Sequence, residues 1–290
     1  MTQPIDESLV RGLVARQFPR WADLPVRQVL PGGNDNRTFR LGDQYSVRLP
    51  SAPGYAAAVA KEQAWLPVIA RTVPLPVPEV VAAGESDDTF PHRWSIYRWL
   101  PGETATDARV ADRSAFAETL AGFLRALQTV DTEGAPRAGA HSFFRGANPA
   151  HYDDETREAV SRLGSAIDGD RALALWSQGL AAEWTGGPVW FHGDVSSGNL
   201  LVVDGALSAV VDFGTSGVGD PACDLYIAWT YLDGPSRRAF RTAMRVDDGM
   251  WARGRAWTLW KALITLASAD YPARSWAWPV YESIVGADER

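Results

Sequence analysis

The chain has 290 residues, 46% of them hydrophobic and 22% charged, enough to bury a sizeable core as one two-lobed domain or two small ones. Its net charge of −7, with no Lys/Arg cluster, excludes nucleic acid as a partner and suits a cationic one. The single cysteine, Cys223, excludes an internal disulfide framework, fits a reducing cytoplasm and, between apolar neighbours, reads as packing. No apolar run reaches the roughly 18 residues of a membrane span, and the first residues lack the basic and apolar regions of a signal peptide. A cytoplasmic monomer is expected.

Three short strands are predicted at 27–30, 38–40 and 45–49, separated by Pro-Gly-Gly-Asn-Asp-Asn and by Gly42-Asp43. Gly32 and Gly33 permit close backbone approach, and Asn34, Asp35 and Asn36 tolerate the dihedrals of a tight turn. An ordinary hairpin tip has the same composition. Along Tyr45-Ser46-Val47-Arg48-Leu49, alternation puts Tyr45, Val47 and Leu49 on one face and Ser46 and Arg48 on the other. A helix carrying Glu62 follows over 57–66, and 94–103 reads as a strand running into a linker.

The remainder is mainly helical. Phe116, Leu120, Phe123, Leu124 and Leu127 trace one face of a helix over 114–130, and a Gly/Ala/Pro-rich loop occupies 132–140. Further helices are predicted at 154–163, 170–184, 225–231, 236–244 and 248–267. Of the 13 tryptophans, Trp251, Trp257 and Trp260 share the last of these helices, and Trp276 and Trp278 follow. At helical spacing they read as core, although indoles also stack on sugars. Asp153, Asp154, Glu155 and Asp233 either grip amino groups or cap helices. His92, His141 and His151 show no metal-ligand spacing.

Between the helices lies WFHGDVSSGNLLVVDGALSAVVDFGTSGVGDPACDL. Asp204-Gly205 separates two apolar runs, 200–203 and 207–211, the signature of a tight hairpin. Neighbouring strands are about 5 Å apart, so Asn199 and Asp212 are expected at one end of this ladder, with Asp194 in the loop that feeds it. Phosphoryl transfer from a nucleotide needs such a set: one carboxylate to deprotonate a hydroxyl, and oxygen ligands for Mg²⁺. Any one of the three alone reads equally well as a turn cap.

HGDVSSGN, VVDFG and GDPACDL together resemble the aminoglycoside phosphotransferase family, the small-molecule branch of the protein-kinase-like fold. The resemblance implies an α+β, two-lobed architecture. A β-rich nucleotide-binding lobe would span 1–99, and a larger, mainly helical catalytic and substrate-binding lobe 100–290. It implies that Asp194 is the catalytic base, that Asn199 and Asp212 hold Mg²⁺, and that a nucleoside triphosphate is the donor. Asp224 would be a buried anchor for the catalytic loop, with Asp220 either doing likewise or starting a turn. His192 reads as a packed residue that sets the loop.

The same resemblance places Arg48 where a protein kinase carries its phosphate-pairing Lys, with Glu62 as its helix partner and Gly33 and Asn34 over the phosphates. Backbone groups near Arg98 and Leu100 would read the nucleobase edge, with Tyr97 behind them. ATP is the donor expected, and because a bulky residue at Tyr97 favours guanine over adenine, GTP is the alternative. Gly193 replaces the Arg of the kinase His-Arg-Asp loop, and only seven residues separate Asp212 from Asp220. A kinase switched by activation-loop phosphorylation is therefore not expected. The function implied is phosphorylation of an aminoglycoside or related antibiotic, hence antibiotic resistance. The alternatives are a metabolic kinase acting on a sugar, an amino alcohol or another natural product, and a non-catalytic nucleotide-binding scaffold.

Overall fold

The computed structural model describes residues 4–30, 35–268 and 274–286. They group into two compact units. One contains the chain up to Gly102 together with Ala209–Gly214; the other contains Glu103–Ser208 and the chain from Thr215 onward. The fold is α+β, with strands concentrated in the first unit and helices in the second.

In the first unit, antiparallel strands run in the order Val26–Gln28, Asn36–Leu41, Tyr45–Pro50, Trp94–Arg98 and Val80–Gly84. The helix Glu7–Gln17 starts at Asp6, whose carboxylate accepts the Leu9 N–H at 2.9 Å. Its Leu9, Val10, Leu13 and Val14 join Phe39, Leu41, Val47, Leu49, Trp94 and Ile96 in one core. A helical period and a strand period thus meet in one cluster, each buried side chain contributing about 1.5–3 kcal/mol. A second helix, Ala56–Ile69, buries Val59, Leu66 and Ile69, and with them Glu62. A carboxylate on an apolar face is stable only if it is paired and hydrogen-bonded, which makes Glu62 a marker for the site.

In the second unit, Asp112, Asp168, Asp233 and Asp247 each cap a helix by accepting first-turn N–H groups. Arg113–Leu127 packs on Gly234–Met244, and Gly169–Ala181 on Asp248–Ala267. Val189–Phe191 pairs with Gly217–Gly219 and delivers the chain to His192. Leu200–Val203 is the middle strand of a sheet between Glu103–Thr104 and Ala206–Val210. At its turn Asp204 and Gly205 have φ of 50° and 82°, the pair of positive dihedrals a type I′ hairpin demands.

Two expected helices are corrected. The one placed at 225–231 is a 3₁₀ helix, Pro221–Tyr226, followed by the short α-helix Ile227–Thr230. Asp220 caps it early, through a bond from the Ala222 N–H at 3.1 Å. The helix placed at 170–184 ends at Ala181, because Arg253 donates to the carbonyls of Ala182 and Glu183 at 3.2 and 3.4 Å. Among the described residues no helix is long and apolar enough to cross a membrane.

Candidate active site

The first unit holds a charged cluster built around Arg48. This residue sits mid-strand opposite Thr38 and Ser95. Its Nη2 donates to Asp212 Oδ1 at 3.0 Å, and its Nη1 lies 3.7 Å from Glu62 Oε1. Burial opposes the charged guanidinium, but the Asp212 and Glu62 carboxylates outweigh it, so the net shift is upward and Arg48 stays cationic. Glu62 also accepts the Tyr97 hydroxyl at 2.6 Å and the Phe213 N–H at 3.1 Å. Burial and the adjacent Glu62 charge push the Tyr97 phenol well above its usual range, so it remains a donor.

Asp212-Phe213-Gly214 is tied down residue by residue. Arg48 holds Asp212, Glu62 holds the Phe213 N–H, and Lys61 Nζ donates to the Gly214 carbonyl at 2.7 Å. Burial lowers the Lys61 ammonium to about 8, against the pull of Glu62 and Asp212. These ties hold Asp212 at φ 67°, a left-handed conformation that Asp tolerates better than most residues. At the end of the strand Trp94–Arg98, the Arg98 N–H donates to the Glu79 carbonyl at 2.9 Å and its side chain pairs with the Glu79 carboxylate at 2.7 Å. The Leu100 N–H, two residues on, donates to no acceptor among the described residues. Gly33 and Asn34, with Gly32, lie outside the described residues.

In the second unit the loop His192-Gly193-Asp194 hangs from Asp224. This fully enclosed carboxylate accepts the N–H groups of His192 at 2.9 Å and Gly193 at 2.7 Å; its burial raises its pKa, and those bonds offset part of the rise. His192 is buried, its Nδ1 accepting the Asp194 N–H at 3.2 Å and its carbonyl accepting the Thr215 hydroxyl at 3.2 Å. Its ring therefore braces the turn. Gly193 has φ 84°, and a Cβ there would lie 2.8 Å from the Thr215 carbonyl oxygen. Gly193→Ala is accordingly expected to destabilise the second unit by roughly 1–3 kcal/mol, read as a lowered Tm.

Asp194 itself is half-buried. Asn199, which closes the turn Ser197–Asn199, donates its Nδ2 to both the Asp194 carbonyl at 2.9 Å and Oδ2 at 2.8 Å. That fixes the carboxylate while leaving its other oxygen without a donor among the described residues. It also turns the Asn199 carbonyl oxygen away from Asp194, equally without a described donor. Beside Asp194 lies a cavity of about 50 Å³, with Arg145, Tyr226, Trp257, Trp260 and Lys261 in its lining.

The structure thus brings Asp194 to Asn199, and Arg48 to Glu62 and Asp212. Asp220 does not anchor the loop: it forms a buried pair with Arg253, at 2.6 Å to Nε and 3.3 Å to Nη2. Cys223 is buried, and its thiol is pushed well above its usual pKa by burial and then by Asp224, in keeping with packing rather than nucleophilic chemistry. Lys61, the Tyr97–Glu62 bond, Arg253 and Arg145 escaped the sequence reading. Lys61 offered the one usable signal, standing beside Glu62 on the same helix. Among the described residues no three His, Cys, Asp or Glu side chains form a preassembled metal cluster.

The model of a family described as the phosphotransferase enzyme family, APH, matches residues 26–257. No curated protein matches the chain in sequence. Similar solved structures include the GDP complex of wild-type aminoglycoside 2′-phosphotransferase-IIIa, with a TM-score of 0.75 and 18% identity over 97% of this chain and 99% of that one. The streptomycin–ATP–APH(2″)-IIa ternary complex has a TM-score of 0.62 and 18% identity over 92% of each chain. The macrolide 2′-phosphotransferase MphH from Brachybacterium faecium has a TM-score of 0.60 and 22% identity over 99% of this chain and 100% of its own. These likenesses show the protein-kinase-like fold.

Proposed function

The chain belongs to the phosphotransferase enzyme family, and on that premise we propose that it transfers the γ-phosphoryl group of a nucleoside triphosphate to a hydroxyl of a small molecule. The observation that carries this reading is Asp194: a carboxylate clamped through one oxygen by Asn199, with the other left open. It takes the proton of the acceptor hydroxyl as that oxygen bonds to the γ-phosphorus and the β–γ bridging bond breaks, releasing nucleoside diphosphate. The Asp224 anchor and the His192 brace hold the base still, which lowers the entropic cost of reaching the reactive geometry.

Arg48, kept charged by Asp212 and Glu62, is the cation assigned to the donor's α- and β-phosphates. Gly33 and Asn34 keep their assignment over those phosphates on the strength of the sequence. The backbone at Arg98 and Leu100 is assigned to the base edge; the uncommitted Leu100 N–H supports that role. Solved neighbours were captured with GDP, ADP or ATP, and both ATP and GTP are retained as donors. On this reading residues 1–99 form the nucleotide-binding part and 100–290 the catalytic and acceptor-binding part, working in the cytoplasm.

Mg²⁺ fits the donor set. Asn199 presents an amide oxygen and Asp212 a carboxylate, the hard oxygens this ion selects, and these two residues would hold it. When bound, Mg²⁺ neutralises charge on the phosphate oxygens.

Two acceptor classes follow from this chemistry, antibiotics and metabolites. Aminoglycosides and macrolides appear in the names of the solved neighbours, which supports the first. The cations beside Asp194 favour the second. The test is nucleoside-diphosphate release with Mg²⁺ and ATP or GTP across aminoglycosides, macrolides, sugars, sugar acids and amino alcohols. Release on one chemical class, abolished by EDTA, is expected. Intact nucleotide binding with no release on any acceptor would replace the enzyme reading with a nucleotide-binding scaffold.

A further inference from the structure

The lining of the cavity beside Asp194 specifies an acceptor chemistry. Arg145 is half-buried there, yet its guanidinium makes no hydrogen bond or ion pair with any described residue; the Phe143 ring centroid lies 5.8 Å away, and its charge acts on the Tyr152 hydroxyl and the Cys223 thiol. Elsewhere in the second unit the buried Arg253 is matched by Asp220, and the buried Arg255 donates to the Gln178 side-chain oxygen at 2.7 Å. Removing a guanidinium from water without a partner is costly, so an unmatched one at the edge of a site points to a ligand that supplies the anion. Lys261 adds a second cation to the same lining, 6.0 Å from the Trp260 ring centroid.

A neutral donor joins them. Trp257 lines the cavity and its buried indole Nε1 has no hydrogen-bond partner among the described residues. Of the carboxylates nearby, Asp153 is engaged through both oxygens and Glu155 through one. Glu155 accepts the Trp260 Nε1 at 2.8 Å, and Asp153 accepts Trp176 at 2.7 Å and Arg157 at 2.9 Å. Asp194, the carboxylate in the lining, is the reacting base. Two indoles 5.6 Å apart and nearly perpendicular form a rigid wall, with Tyr152 stacked on Trp260 at 4.0 Å, a surface suited to one face of a ring or an apolar stem.

We propose that the acceptor is a small hydroxylated carboxylate of the sugar-acid or hydroxy-acid class. Its carboxylate would be held by Arg145 and Lys261, its stem by Trp257 and Trp260, and its hydroxyl would be presented to Asp194. This rests on the phosphotransferase reading and narrows it. A cavity of about 50 Å³ takes roughly three to five water-sized groups, which suits a carboxylate and its attached carbon. A polyamine would bring like charges against Arg145 and Lys261, an arrangement that selects against it.

The test uses the full chain. Binding of D-glucuronate, D-gluconate, D-glucosamine and kanamycin is followed by tryptophan fluorescence without nucleotide, and diphosphate release is followed with Mg²⁺ and ATP or GTP. The carboxylates are expected to bind and to turn over. Arg145→Ala should weaken them by about 10–100-fold in Kd and KM, the worth of a charge-assisted hydrogen bond, with kcat little changed. Arg145→Lys should lose less, and Lys261→Met gives an independent reading should the Ala variant fold poorly. Carboxylate binding that depends on Arg145, without diphosphate release on any acceptor, would uphold the subsite and refute the phosphotransferase reading. Turnover of kanamycin or glucosamine in preference to the carboxylates would uphold the transferase and overturn the subsite. So would carboxylate binding indifferent to both Arg145→Ala and Lys261→Met.

Discussion

Substituting Asp194 with Ala is expected to lower kcat by about 10²–10⁴-fold, the usual worth of a positioned general base, while nucleotide affinity stays near the wild-type value. The reason lies in how its two oxygens are used. One accepts Asn199 Nδ2 at 2.8 Å, and the other carries no hydrogen bond from a described residue, so its lone pairs are available for a hydroxyl proton. The cation assigned to the phosphates is Arg48, whose partners are Glu62 and Asp212, not Asp194. Removing the carboxylate also leaves Asn199 bonded to the Asp194 carbonyl at 2.9 Å, so the loop keeps its shape. Asp194→Asn separates basicity from geometry, because its side chain can still meet Asn199 without taking a proton. Single-turnover phosphoryl transfer and nucleotide calorimetry on both variants read the two quantities. An Asn variant retaining more than about a tenth of wild-type turnover would remove Asp194 from the role of base.

The local elements were legible where one physical signal dominated. Asp204-Gly205 turned as its composition demands, and the helix Asp248–Ala267 has the limits expected of it. Boundaries slipped where a distant group intervened. Arg253 satisfies carbonyls just past the helix Gly169–Ala181, and no feature of residues 170–184 announces an arginine some seventy positions away.

The site divides in the same way. Asp194 and Asn199 lie within one short motif, and the bond between them is local. Arg48 and Asp212 are 164 residues apart; the sequence placed Arg48 against Glu62, but the structure puts Asp212 closer, at 3.0 Å against 3.7 Å. Trp257 and Trp260 were read as core by their spacing, and they are buried, yet both also line the cavity beside Asp194. Helical periodicity reports that a side chain is covered; it does not distinguish cover by the protein's own core from cover by a site wall.

The second large effect expected is on stability. Arg253→Met should destabilise the second unit by about 3–5 kcal/mol, the cost of stranding one partner of a buried ion pair, or roughly 5–15 °C in Tm. Both side chains are nearly inaccessible, at 5% and 6% exposure. Burial already raises the Asp220 pKa, and the hydrogen bonds and charge of Arg253 hold it down. Without Arg253 it must rise further. A carboxyl whose folded pKa exceeds its unfolded value contributes stability that is complete below the unfolded pKa and is lost as pH rises through the folded one. The Tm gap between Arg253→Met and the wild type should therefore be widest near neutrality and narrow as the pH falls to about 5. Adding Asp220→Asn removes the stranded charge and should recover part of the loss, so the double variant melts above Arg253→Met alone. The side-chain bonds from Arg253 to the Ala182 and Glu183 carbonyls stay broken in both variants, which sets the part that is not recovered. A gap that is flat in pH, with no recovery in the double variant, would assign the whole effect to those carbonyls and none to the ion pair.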